Sequence, residues 1–159
     1  MKNLFLFTLL CFVFSCTEEK KYQYEVDPVG VGNGGGEKTN QKSTTEFISI
    51  AYSDLFGTSI PQSKLVNLSV AYNSFGDLKV IEERIISNLL NDTTIHLPIA
   101  PVVNGDTALF ISNTYKKLYN REPNAYEKFK WIDIIRSDVN VNPTTIYFAL
   151  MTSDEYRFY

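Results

Sequence analysis

The side chains able to make or break bonds are few in this sequence, and their spacing limits what each can do. His96 is the single histidine, set in Thr94-Ile95-His96-Leu97-Pro98. An imidazole acting as general base needs a nucleophile and an orienting carboxylate beside it. The sequence has no G-x-S-x-G and no H-E-x-x-H, and its two cysteines, Cys11 and Cys16, both lie near the start. His96 therefore reads as a partly buried connector residue. One histidine leaves a zinc site to carboxylates, and Asn91-Asp92 and Asp154-Glu155 lack the ligand spacing of a calcium loop. Glu82 and Glu83 are neighbours, so on a helix they point about 100° apart and read as a solvated face. Gly30, Gly32 and Gly35 satisfy G-x-G-x-x-G, but Asp27-Pro28 interrupts any strand before them and no apolar helix follows. They read as linker. The expectation is no catalytic residue, no metal site and no cofactor.

Two arrangements rise above that background. Arg121 and Glu155 are expected at the ends of helices, where a guanidinium can bridge to a carboxylate and satisfy exposed carbonyls. Around Tyr126, Lys128, Lys130 and Trp131, bases interleave with aromatics, a composition that can stack on sugars or anionic glycans. Tyr115, Leu118 and Tyr119 share one helical face and read as core instead. The net charge of −3 supplies no basic field, so nucleic acid is not an expected partner.

Cys16 has a chemistry of its own. Met1-Lys2-Asn3 precedes an apolar run from Leu4 to Phe14, which as helix spans about 16 Å, half the hydrocarbon core of a bilayer. That length fits a signal peptide rather than a membrane span. The run ends in Val13-Phe14-Ser15-Cys16, which resembles a lipobox, so residues 1–15 are expected to be removed and Cys16 lipidated. The acidic pair Glu18-Glu19 resembles the surface-export signal of lipoproteins in the Bacteroidetes group. Residues 16–43, with Gly30-Val31-Gly32-Asn33-Gly34-Gly35-Gly36, read as a flexible tether with an r.m.s. span of about 30 Å.

The elements that would position everything else begin at residue 44. Ser43-x-x-Glu46 is a capping box before Phe47, Ile48, Ala51, Tyr52, Leu55 and Phe56, with Gly57 as the stop. Pro61 opens a second helix bearing Leu65, Leu68, Val70 and Tyr72, and Asp77 caps a third bearing Ile81, Ile85, Ile86 and Leu89. Pro98 and Pro101 keep the next stretch non-helical. Asp106 then caps Ala108 to Tyr119. Asn124-x-x-Glu127 opens a helix with Phe129, Trp131, Ile132 and Ile135, and Asn142-Pro143 opens the last, with Ile146, Phe148, Leu150 and Met151. Phe47-Ile48-Ser49, Tyr52, Leu55 and Phe56 match Phe110-Ile111-Ser112, Tyr115, Leu118 and Tyr119 at a spacing of 63 residues. The reading is an all-α, six-helix domain over 44–159, built of two degenerate three-helix units, 44–103 and 104–159.

In the second unit, Phe110, Tyr115, Leu118-Tyr119-Asn120-Arg121-Glu122-Pro123, Phe129-x-Trp131 and Phe148-x-x-x-x-Ser153-x-Glu155-Tyr156 resemble a bacterial helical domain of unknown function related to the phycobilisome linker repeat. Asn120 stands where that family usually has Gly, and the first unit lacks the Arg and the Trp. The resemblance implies a non-enzymatic packing or interaction module. The combined expectation is an outer-membrane lipoprotein, facing the cell surface, that acts as a scaffold for another envelope protein. The alternative is a carbohydrate-binding accessory lipoprotein using Trp131 and the nearby Tyr and Lys residues.

Overall fold

Helix starts in this chain are set by short polar side chains. In a computed structural model, which describes residues 39–98 and 106–158, five of the six helices open on a side chain that accepts from a first-turn amide: Ser43, Asp77, Asp106, Asn124 and Asn142. The six are α1 (Thr44–Phe56), α2 (Gln62–Asn73), α3 (Leu78–Leu90), α4 (Thr107–Tyr119), α5 (Ala125–Ser137) and α6 (Pro143–Met151). A turn of 3-10 helix, Glu155–Arg157, follows. Reciprocal capping boxes close at Ser43/Glu46 and at Asn124/Glu127. Gly57 ends α1 in the left-handed region at φ 68°. The domain is all-α, with no strand among the described residues. Cys16, the leader and the glycine run lie outside them.

Side-chain burial follows the helical stripes. Phe47, Ile48, Leu55 and Phe56 of α1 and their counterparts Phe110, Ile111, Leu118 and Tyr119 of α4 are all buried. Helices α1, α2 and α3 pack on one another, α4 packs on α5 and α6, and α3 lies against α6. Ile81, Ile85 and Leu89 of α3 and Ile146, Leu150 and Met151 of α6 join the same core. Two helices bury less than their sequences suggest. Val70 of α2 is 61% exposed, and α5 buries Ile135 alone while Phe129 is 64% exposed. Period alone cannot tell how many neighbours a helix has, and α5 lies chiefly along α4.

The segment after α6 returns to the start of the domain. Gln41 and Phe158 form an antiparallel bridge, and the Lys42 amide donates to the Arg157 carbonyl at 2.9 Å. Residues 41 and 42, expected to be tether, are thus part of the packing, with Lys42 buried and its ammonium donating to the Tyr156 carbonyl. Tyr156 is fully buried, edge-on to Phe47 at 6.0 Å, and its hydroxyl donates to Asp54 Oδ2 at 2.6 Å. Burial holds the Asp54 carboxyl above the usual aspartate range.

Beside it, Arg157 pairs with Glu82. The Tyr72 hydroxyl donates to Glu82 Oε1 at 2.5 Å and accepts from Arg157 Nη2 at 3.1 Å. Glu82 is only 3% exposed, so it is not on a solvated face. Its partner lies 75 residues further along the chain, outside any local pattern. A buried pair of this kind is costly to break from one side, because the remaining charge stays out of water. Arg157→Met should lower stability by about 3–5 kcal/mol in urea unfolding, and adding Glu82→Leu should restore most of it. Equal stability of the wild type and Arg157→Met would show that the pair contributes nothing.

Candidate functional site

Helix α4 ends at Asn120 in the left-handed conformation, φ 56°, a geometry Asn tolerates better than other side chains bearing a Cβ. The chain turns there and presents Arg121 between two carboxylates. Arg121 Nε and Nη2 donate to Glu155 Oε1 and Oε2, each at 2.6 Å. Nη1 and Nη2 donate to Glu127 Oε2 and Oε1 at 2.8 and 2.7 Å, and Nη1 also reaches the Glu122 carbonyl at 3.0 Å. The fork is used on both edges, the geometry in which Arg binds carboxylate best.

The expected Arg121–Glu155 pair is formed, and Glu127 joins it. Glu127 also caps α5, accepting from the Asn124 amide at 2.7 Å, so one carboxylate fixes the helix start and the guanidinium together. Hydrogen bonding to Arg121 holds the Glu127 carboxyl below its usual range and raises the guanidinium further.

Aromatic rings complete the cluster. The guanidinium carbon lies 5.2 Å from the Tyr115 ring and 5.6 Å from the Tyr119 ring. Trp131 Nε1 donates to the Tyr115 hydroxyl at 3.0 Å, and the Tyr119 hydroxyl donates to the Leu150 carbonyl at 2.9 Å. Burial pushes the Tyr115 and Tyr119 hydroxyls up from their ordinary range. A guanidinium stays protonated near neutral pH. What the cluster does is join the start of α5, the end of α4 and the C-terminal segment.

The four candidate ligand residues separate. Tyr126 is 69% exposed, with Lys130 Nζ 5.7 Å above its ring. Trp131 and Lys128 are half-buried, and Trp131 belongs to the Arg121 cluster. Phe129, expected as an apolar position of the helix, stands beside Tyr126 on the outer face, and Ile134 is exposed as well. Nine residues at about 100° place Ile135 opposite Tyr126, so only one of the two can face α4, and which one is set by the packing rather than by the spacing.

His96 differs from its expectation. Its backbone amide donates to the Leu55 carbonyl at 3.0 Å while its side chain is exposed. Among the described residues, no three His, Cys, Asp or Glu side chains cluster so as to hold a metal. No family model, curated protein or solved structure matches this chain, so the likeness to the linker-related helical domain rests on the quoted residues alone.

Arg121→Met would leave Glu127 and Glu155 facing each other with no cation between them. Glu127, whose folded pKa is depressed, contributes stability present above its unfolded value of 4.5 and lost as pH falls through the folded one. The substitution should destabilise the domain at pH 7 by about 2–3 kcal/mol. It should also remove that part of the acid-side decline in stability, since protonation then relieves repulsion. Thermal melts of both proteins between pH 3 and 7 check this, and parallel pH profiles would refute it.

Proposed function

We propose that this chain is a lipid-anchored, non-catalytic interaction module of the cell envelope, held through Cys16 at the outer membrane and facing the cell surface. In this reading the outer face of α5 docks on another envelope protein. The observation that carries it is the pairing of exposure with rigidity. Tyr126 and Phe129 stand open to solvent on a helix whose first turn is locked by Asn124, Glu127 and Arg121. Aromatic side chains held in place lose little entropy on docking, which favours them at interfaces. Among the described residues no helix is long and apolar enough to cross a membrane, and two or three acyl chains on one sulfur supply firm attachment without one.

The carbohydrate alternative draws less support from the geometry, because the Trp131 indole is half-buried and its N–H is already donated to Tyr115. A blue-shifted Trp131 emission, unchanged by added polysaccharide, is the expected outcome in solution.

Two substitutions separate the parts of the proposal. Cys16→Ser should move the protein out of the membrane fraction and leave its precursor uncleaved; continued processing and membrane retention would sink the anchor. A photo-crosslinking residue at position 126 should give one stoichiometric adduct in native envelopes, lost when Phe129→Glu is added. A face that yields no adduct, or one indifferent to Phe129→Glu, is not the docking surface.

A further inference from the structure

A groove of about 310 Å³ runs along α4, with the Ile95–Pro98 connector on one side and α6 on the other. Its α4 wall is one helical stripe that carries Asp106, Leu109, Phe110, Asn113, Thr114 and Lys117, while Tyr147 and His96 supply the other walls. The volume sits at the lower end of the range for small-ligand sites. The two ends of the stripe carry opposite charge. Asp106 is the N-cap of α4, and its Oδ1 accepts from the Leu109 amide at 3.0 Å, leaving Oδ2 without a protein partner among the described residues. Lys117 stands with its ammonium 5.7 Å over the Tyr147 ring and joins no ion pair among the described residues. Asp54, which accepts the Tyr156 hydroxyl at 2.6 Å, also acts on Lys117 electrostatically but forms no ion pair with it. Between the charges, Leu109 is 55% exposed and gives an apolar patch on the Asp106 side, and the exposed Asn113 stands between it and Lys117.

A groove with opposite charges at its ends and an apolar patch between them matches a dipolar ligand with an apolar side chain between its charges. Eleven residues separate Asp106 from Lys117, about 16 Å of helix rise. Side chains lean toward the N-terminus, so the lysine reaches back and leaves roughly 10 Å between the charges. At about 3.3 Å per extended residue, that gap spans three residues. We propose that this groove binds a short extended peptide of about three residues, its ammonium at Asp106, its carboxylate at Lys117 and its central apolar side chain over Leu109 and Phe110. A simple anion would face Asp106 and a simple cation would face Lys117, each with repulsion at one end. A neutral sugar would meet neither charge with one of its own. The site is separate from the α5 face and depends on neither the lipid nor that face.

His96 is the chain's single histidine, so no other imidazole competes with its ring protons as a report on the groove. The detergent-solubilised full chain is titrated by NMR with Ala-Leu-Ala, with the same peptide acetylated and amidated, and with methyl glucoside. Free Ala-Leu-Ala should shift the His96 resonances saturably, and blocking its ends should weaken binding by about five-fold, the effect of a partly screened charge pair. Lys117→Gln and Asp106→Asn should each weaken it by about the same factor, with Asn preserving the cap. Absence of a saturable shift up to about 20 mM, equal binding of the blocked peptide, or a shift produced by methyl glucoside instead would each overturn the proposal.

Discussion

The packing of Tyr156 and Arg157 against the first three helices is the constraint on which the rest of this domain depends. A C-terminal segment without regular helix would ordinarily lie on the surface and fray. Here it crosses back to the first three helices because it carries one ring and one cation that those helices can satisfy. Tyr156 fills the space beside Phe47 and donates to Asp54, while Arg157 neutralises Glu82 inside the α2–α3 corner. Removing water from Glu82 is tolerable only while the guanidinium stays, so the loss of Arg157 alone is costly. The two halves of the domain are therefore joined by side-chain chemistry in addition to the apolar contact of α3 with α6.

The same C-terminal segment serves the second half. Ser153 lies 2.7 Å from the Tyr119 hydroxyl, Glu155 takes one edge of the Arg121 fork, and Tyr156 and Arg157 reach the first half. The neighbours Glu155 and Tyr156 thus serve opposite halves of the molecule. Arg121 in turn fixes the start of α5 through Glu127. A helix lying chiefly along one neighbour, with a single fully buried side chain, acquires an electrostatic anchor where apolar burial is thin. Its solvent-facing aromatics are held at a defined place for the same reason.

Helix α4 links these features. Its C-terminus, shaped by the left-handed Asn120, delivers Arg121 to the two carboxylates. Its buried stripe, Phe110, Ile111, Tyr115 and Leu118, forms core, and its Asp106-to-Lys117 edge lines the groove under His96. Thirteen helical residues cover three environments because a helix turns a new face every 100° or so. Phe47, Ile48 and Leu55 of α1 repeat the buried part of that pattern without the Arg121 that gives α4 its terminal cluster.

The sequence by itself determined the helices and most of their ends. Capping side chains, Gly57 and the apolar stripes act within a few residues, and local hydrogen bonding and local sterics are what they encode. The meeting of Arg121 with Glu155 was legible for a related reason, since each sits next to a recognisable helix end. Tertiary structure alone decided that Glu82 is buried, that Lys42 packs under Tyr156, that Glu127 completes the Arg121 fork and that Phe129 faces water. Each depends on which surface another helix or the returning C-terminus happens to cover. A residue's own periodicity states which way it points, but solvation is set by what stands opposite, and that partner lies 75 residues away for Glu82 and 114 for Lys42.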